Sequence, residues 1–372
     1  MDCFLHDKVG SFHLPPFESR FPLLTHPNAD ALIEKGDRWL QEFIAGRPSS
    51  ASALALGQEV EGRTINLDAH LQSKISKLAC RFWPNSLVEQ RSIAMLKFLH
   101  WIVLFDNLTD DTTEPVGSSP WGTQCLCAAV NDVFSKVSTT HLSLLCLHLP
   151  GQMPYLAPTL GSAAMSGCNA EQRRFIWLVL DMLVEWWAEL RATMPRLQQA
   201  RFGHYFLQYI LVHPHLCRLR EEAGGQVPAG LEEYMRLRCT VAAVQCITLL
   251  AEYDLDMELD AEALASPLIQ KIREASMNHQ AWVNDNYSFP NEYLKGDYFN
   301  LLAVLHYRNN TSQDELSCSK PVPFEAAASE AWRMVLAKEE ECAELAERVK
   351  QDAVLKGYLL ASSLAASISG DG

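Results

Sequence analysis

Apolar residues recur three and four positions apart along most of this chain, the spacing that gives a helix one buried face. After an amino-terminal stretch holding Pro15, Pro16, Pro22 and Pro27, Asn28 or Asp30 can cap a helix through "ALIEKGDRWLQEF". The pattern resumes in "LDAHLQSKISKLACRFW", breaks at Pro84-Asn85, and continues through "SLVEQRSIAMLKFLHWIVLFDNL" as one long helix. Further helices are predicted over 121–147, 172–194, 198–221, 229–251, 260–288, 293–308 and 324–365. Alternating β-branched runs between tight turns, the signal of strands, are nearly absent. "HLPGQMPYLAPTLG", "EEAGGQVPAG" and "NNTSQDELSCSKPVP" are loops by composition. With no repeat and no long linker, the pattern predicts one all-α domain over residues 1–372, with residues 1–27 as an extended strap.

Composition adds limits. A hydrophobic content of 48% in 372 residues suffices for a packed core. The formal charge of −14, with no basic stripe against it, argues against nucleic acid and anionic membrane as partners. An anionic ligand would therefore need a few placed Lys or Arg, or bound metal. Of the 11 cysteines, only Cys125 and Cys127 are close, and a one-residue gap is no zinc spacing. The expectation is reduced, buried thiols in a cytoplasmic protein. The start "MDCFLHDKVGSFHLPPF" has no apolar signal core, and "FLHWIVLF" and "WLVLDMLVEWW" are too short to span a bilayer.

Three polar constellations interrupt the helical pattern. The long helix is apolar through "WIVLF" and then meets "DNLTDD", so that Asp106 and Asp110, four apart, share a face beside Asn107. Carboxylates at a helix C-terminus meet the negative end of its dipole, which a bound cation would relieve. Hard oxygen ligands of this kind suit Mg²⁺. Downstream, in "AWVNDNYSFPNEYLKGDYFN", Asn284, Ser288 and Glu292 recur every fourth residue as amide, hydroxyl and carboxylate, with Lys295 three residues on. A solvated polar face would have the same spacing, so neither stripe is specific alone. Arg238, in "EEYMRLRCTVAAVQC", lies 46 residues before Asn284 and offers a fork suited to phosphate; a surface ion pair is the ordinary alternative.

Taken together, the three resemble the class I terpene synthases of fungal and bacterial type. That family carries a D-D-x-x-D/E motif, a diphosphate-sensing Arg, and N-D-x-x-S-x-x-x-E in this order. Here the last motif is complete in Asn284, Asp285, Ser288 and Glu292, the first is "DNLTD" with Asn107 at its second position, and the sensor matches Arg238. "FHLPPFESRFPLLTHPNADALIEKGDRWL" and "RFWPNS" resemble family landmarks too, so the likeness spans nearly the whole chain.

The resemblance implies a class I isoprenoid synthase bundle around a central active-site cavity. It implies three Mg²⁺ ions: two held by Asp106, with Asp110 beside it, and one by Asn284, Ser288 and Glu292. Arg238 and Lys295 would bind diphosphate, and Phe82, Ile102, Val103, Phe105, Ala242 and Trp282 would line the pocket. The implied reaction is ionisation of a linear prenyl diphosphate, farnesyl first and geranylgeranyl as the alternative, with cyclisation to a sesquiterpene. A degenerate homologue that only binds prenyl diphosphate is the rival from another class; a chain-elongating prenyltransferase would need a second aspartate-rich motif. The family is monomeric or loosely dimeric.

Four departures accompany the likeness. Asn107 replaces an Asp, and Pro290 inside the second motif should kink the turn carrying Glu292. Val241 and Ala242 stand where the family often has an acidic linker and an effector Gly, so a sensor–linker salt bridge is missing. "SSLAASISGDG" holds no Arg-Tyr pair of the kind that ends family members. Either the chain stops short of it, or phosphate binding relies on Arg238 and Lys295.

Overall fold

A computed structural model describes residues 2–4, 11–13, 19–45, 67–86, 88–110, 116–137, 170–307 and 321–352. Its elements are short strands β1 (Asp2–Phe4) and β2 (Ser11–His13), then helices α1 (Ala29–Ala45), α2 (Leu67–Gln72), α3 (Ile75–Phe82), α4 (Glu89–Asp110) and α5 (Pro120–Val137). There follow α6 (Ala170–Thr193), α7 (Arg196–Ala223), α8 (Leu231–Val241), α9 (Val244–Asp254), α10 (Ala261–Ala265), α11 (Pro267–Leu294), α12 (Leu301–Tyr307) and α13 (Phe324–Gln351). The fold is all-α apart from the two strands, which pair antiparallel with Cys3 opposite Phe12. The predicted strap therefore contains a hairpin, whose pairing satisfies backbone groups that an isolated strap would leave to water. The predicted helix ends at 138–147 and 353–365 lie outside the described residues.

The chain divides into two compact units, one of residues 23–217 with 249–258, the other of residues 1–22, 218–248 and 259–372. In the first, α4 is buried on every side from Ala94 to Phe105, save at half-buried Val103, which makes it the central helix. Phe98, Trp101 and Phe105 stand on it, each fully buried, against Trp186, Phe202, Phe206 and Tyr209, with Phe134 packed on Phe206. Edge-to-face and offset contacts among these rings give the core a definite geometry. The Trp101 indole N–H, which needs a partner when buried, donates to the Val179 carbonyl at 2.7 Å.

Helix α1 begins directly after Asn28, whose carbonyl accepts the Leu32 N–H at 3.1 Å. It buries Leu32, Gly36, Leu40 and Phe43, one face at helical spacing. Gly36 marks a close approach: a Cβ there would lie 2.5 Å from Leu96 Cδ2. The buried ammonium of Lys97 is neutralised by Glu185 at 2.8 Å and Glu189 at 2.6 Å. Arg201 is held bidentate by Glu252, at 2.7 and 2.8 Å.

In the second unit, the long helices α11 and α13 pack together through Ile272, Ala275, Cys342, Leu345 and Ala346, and Phe21 covers this cluster. The neighbouring strap is fixed by Glu339 of α13, which accepts the Ser19 hydroxyl at 2.5 Å and the Arg20 N–H at 2.7 Å.

Three predicted helices are corrected. The 229–251 segment is two helices, because the chain breaks at Ala242-Ala243, where Ala243 takes φ +52°. The 260–288 segment is also two: Asp260 caps the five-residue α10, and Pro267 starts α11 at the first helical position that tolerates it. Residues 295–300 form a loop ahead of α12, so the 293–308 prediction began too early. Among the described residues no helix is long and apolar enough to cross a membrane.

Candidate functional site

Arg238 stands in the last turn of α8 and is buried, so its guanidinium needs a fixed anion. It finds one in Asp285 of α11: Nε donates to Asp285 Oδ1 at 2.7 Å, while Nη2 donates to Asn284 Oδ1 at 2.8 Å. Asp285 also accepts from the Tyr234 hydroxyl and, at 2.7 Å, from the Leu301 N–H at the start of α12. Burial pushes the Asp285 carboxyl up and the Arg238 charge pulls it back, leaving it raised. For Arg238, burial is the largest influence and works downward, but Asp285, Tyr234 and Glu292 together outweigh it and the guanidinium stays ionised. Arg238 thus pairs with Asp285, not with the residue at position 241.

Along α11 the stripe differs residue by residue. Asn284 is exposed at its backbone turn, Ser288 is half-buried, and Glu292 is half-buried near the helix end. The Ser288 Oγ is buried without a hydrogen-bond partner, the kind of orphaned polar atom that a bound ligand satisfies. Glu292 Oε2 accepts from the Asn300 amide at 2.8 Å. Its carboxyl is pushed up to about 7, by burial first and then by the Asp297 and Asp285 charges, with Arg238 and the Asn300 bond acting against them. The expected kink does not end the helix: α11 continues past Pro290 to Leu294. Lys295 caps it with an exposed side chain.

The other unit holds Asp106 and Asp110, both half-buried on the last turn of α4. Asp106 Oδ1 accepts from the Tyr209 hydroxyl at 2.5 Å. Asn107 is exposed. Among the proposed pocket residues, Phe105 and Ile102 are buried, Phe82 and Val103 half-buried, Trp282 buried with an unpartnered indole N–H, and Ala242 half-buried at the α8–α9 break. Phe105 stacks on Trp101 and meets Tyr209 and His213 at its edges.

Among the described residues no three His, Cys, Asp or Glu side chains converge on a metal position. The α11 stripe brings one carboxylate, one amide oxygen and one hydroxyl. Such a set is too weak to cage Mg²⁺ alone, but it fits an ion whose remaining positions are water and phosphate oxygen. The unpartnered Ser288 Oγ supports that fit.

Sequence reasoning quoted Asp285 without giving it a task, and missed Tyr209, Tyr234 and Asn300. An acid between Trp282 and Phe289 on the apolar side of α11 was the available signal for a buried pair. Asn300 directly before "LLAVLH" was a readable helix cap.

A buried Arg thus stands beside a helix stripe of amide, hydroxyl and carboxylate oxygens. Residues 162–316 match the family model described as terpene synthase family 2, C-terminal metal binding. The chain is 28% identical over 296 residues to microbial terpene synthase-like protein 13 of Selaginella moellendorffii, covering 80% of this chain and 69% of that one. It is 29% identical over 167 residues, 45% of each chain, to a 7-epi-alpha-eudesmol synthase ((2E,6E)-farnesyl diphosphate cyclizing) of Streptomyces viridochromogenes. The fold matches a linalool/nerolidol synthase of Streptomyces clavuligerus with TM-score 0.60 at 15% identity, over 95% of this chain and 93% of that one. The matched model and these relatives are terpene synthases, and the likeness in fold extends over nearly the whole chain.

Proposed function

We propose that the protein ionises a linear prenyl diphosphate, farnesyl diphosphate first, and cyclises the resulting cation to a sesquiterpene with release of diphosphate. The observation that carries this reading is the Arg238 fork on Asp285 and Asn284, set beside the unpartnered Ser288 hydroxyl. Mg²⁺, when bound, supplies the Lewis acidity that stabilises the leaving diphosphate. Asn284, Ser288 and Glu292 would hold one ion, and Asp106 with Asp110 two more.

Arg238 contributes a permanent positive charge, already desolvated and oriented, toward the developing charge on the leaving group. Its Nη2 is lent to Asn284 until a phosphate oxygen competes for it. Lys295 adds a mobile cation at the end of α11. Trp282 and Ala242 in one unit, and Phe105, Ile102, Val103 and Phe82 in the other, are apolar side chains of the kind from which water must be excluded while a carbocation exists.

Incubation with farnesyl and geranylgeranyl diphosphates plus Mg²⁺, read by gas chromatography–mass spectrometry, tests the proposal. A cyclic C15 product from the former is expected, and Asn284→Ala and Glu292→Ala should each abolish it while the fold persists. No diphosphate release with either chain length overturns the reading.

A further inference from the structure

Asn300 is fully buried at the start of α12, and every polar atom of its side chain is spoken for. Its Oδ1 accepts the Leu302 N–H at 2.9 Å, which makes it the cap of that helix. Its Nδ2 donates twice, to the Asp285 backbone carbonyl at 2.9 Å and to Glu292 Oε2 at 2.8 Å. A flipped amide would set donor against donor and acceptor against two acceptors, so the three bonds fix its orientation.

The two atoms that Nδ2 joins sit seven residues apart on α11, two turns along one face, with Pro290 between them. Proline has no N–H, so the Asn286 carbonyl loses its donor four residues on, and the helix is weakest just before Glu292. Asn300 bridges that weak turn from outside the helix. Glu292 Oε1 has no partner among the described residues, so the carboxylate is held by one oxygen and can present the other.

We propose that Asn300 is a positioning residue that staples α11 across Pro290 and thereby aims Glu292 at its metal ion. The inference rests on the proposed reading of Glu292 as a ligand. Outer partners of this type typically contribute about 10–100-fold to metal affinity.

The test is calorimetric titration of Mg²⁺ into the full chain in the presence of inorganic diphosphate, which needs no turnover. Asn300→Ser keeps an oxygen able to cap α12 but is too short to reach Glu292; Asn300→Asp takes its place if circular dichroism shows the serine variant unfolded. Mg²⁺ affinity roughly tenfold weaker is expected, with no further loss when the change is added to Glu292→Ala. Wild-type affinity in a folded Asn300 variant, alongside a loss in Glu292→Ala, overturns the role of Asn300 and leaves the proposed function standing. An added loss in the double variant also overturns it, because a general structural role would act without Glu292. Wild-type affinity in Glu292→Ala overturns the ligand reading beneath it, and the role of Asn300 with it.

Discussion

Arg238 and Asp285 form a buried ion pair between α8 and α11, with the Nε–Oδ1 hydrogen bond at 2.7 Å and the two side chains 8% and 0% exposed. Neither charge can find water if its partner goes. Asp285→Ala should therefore cost about 3–5 kcal/mol, because it strands a guanidinium. Urea denaturation measures this, and Asp285→Asn, which keeps the shape, should lose less. A change under 1 kcal/mol for the alanine variant would mean that Arg238 relaxes to solvent.

Tyr209 is expected to act through Asp106. Its hydroxyl bonds Oδ1 at 2.5 Å, and hydrogen bonds to a charged group are worth about 1.5–3 kcal/mol. Tyr209→Phe should keep the fold, raise the Mg²⁺ concentration needed for half-maximal turnover, and slow product formation about tenfold. An unchanged Mg²⁺ dependence would detach Tyr209 from the metal side of the reaction.

Acid should weaken the unit that holds His100. This imidazole is 1% exposed, with its ring nitrogens 3.0 Å from the Ser76 hydroxyl and 2.9 Å from His70. Burial, and then the His70 charge, lowers it to about 3. Between that value and about 6.5 the unfolded chain binds the extra proton, so stability is complete above about 6.5 and falls as pH drops. From pH 7 to 5 this residue alone should cost about 2 kcal/mol. His100→Gln should lose less stability than wild type over that range; equal losses in urea titrations at the two pH values would refute the assignment.

Glu339 should govern access to the strap. It is 2% exposed and holds both Ser19 and the Arg20 backbone. Glu339→Ala removes two bonds, a local loss of about 1.4 kcal/mol or more. Limited trypsin digestion should then cut after Arg20 about tenfold faster, tenfold being 1.4 kcal/mol. Cleavage at the wild-type rate would show that the Arg20–Glu340 ion pair and the packing of Phe21 suffice to anchor the segment.

Much of this was legible in the chain. The apolar spacing gave α1, α4 and α7 nearly as they stand, and the start of α13, since each buries a face long enough to outweigh local preference; α13 ends at Gln351, short of the predicted 365. The same spacing could not find the α8–α9 break, because "CTVAAVQC" contains neither Gly nor Pro and the left-handed turn is imposed by the surrounding packing. The Asn284–Ser288–Glu292 stripe and Arg238 stood out only through the family resemblance that they carry together, and the bond joining them was not readable at all. Asp285 looked like one polar residue in a motif until burial gave it a partner. Pro290 was read as kinking the turn that carries Glu292; the helix runs on to Leu294, and the Asn300 bonds on either side of the proline come from the next element, which local reading cannot reach.

Ala243 is the remaining oddity of that break. An L-residue with φ +52° carries about 1–2 kcal/mol that glycine would not, so the position is frustrated in the landscape sense: its local preference opposes the native state. Ala243→Gly offers the chain an immediate gain in stability that its sequence has left untaken. The conflict sits five residues beyond the arginine on which the proposed chemistry turns. The α8–α9 junction is therefore a place where the bundle tolerates poor thermodynamics to keep one helix end where it is.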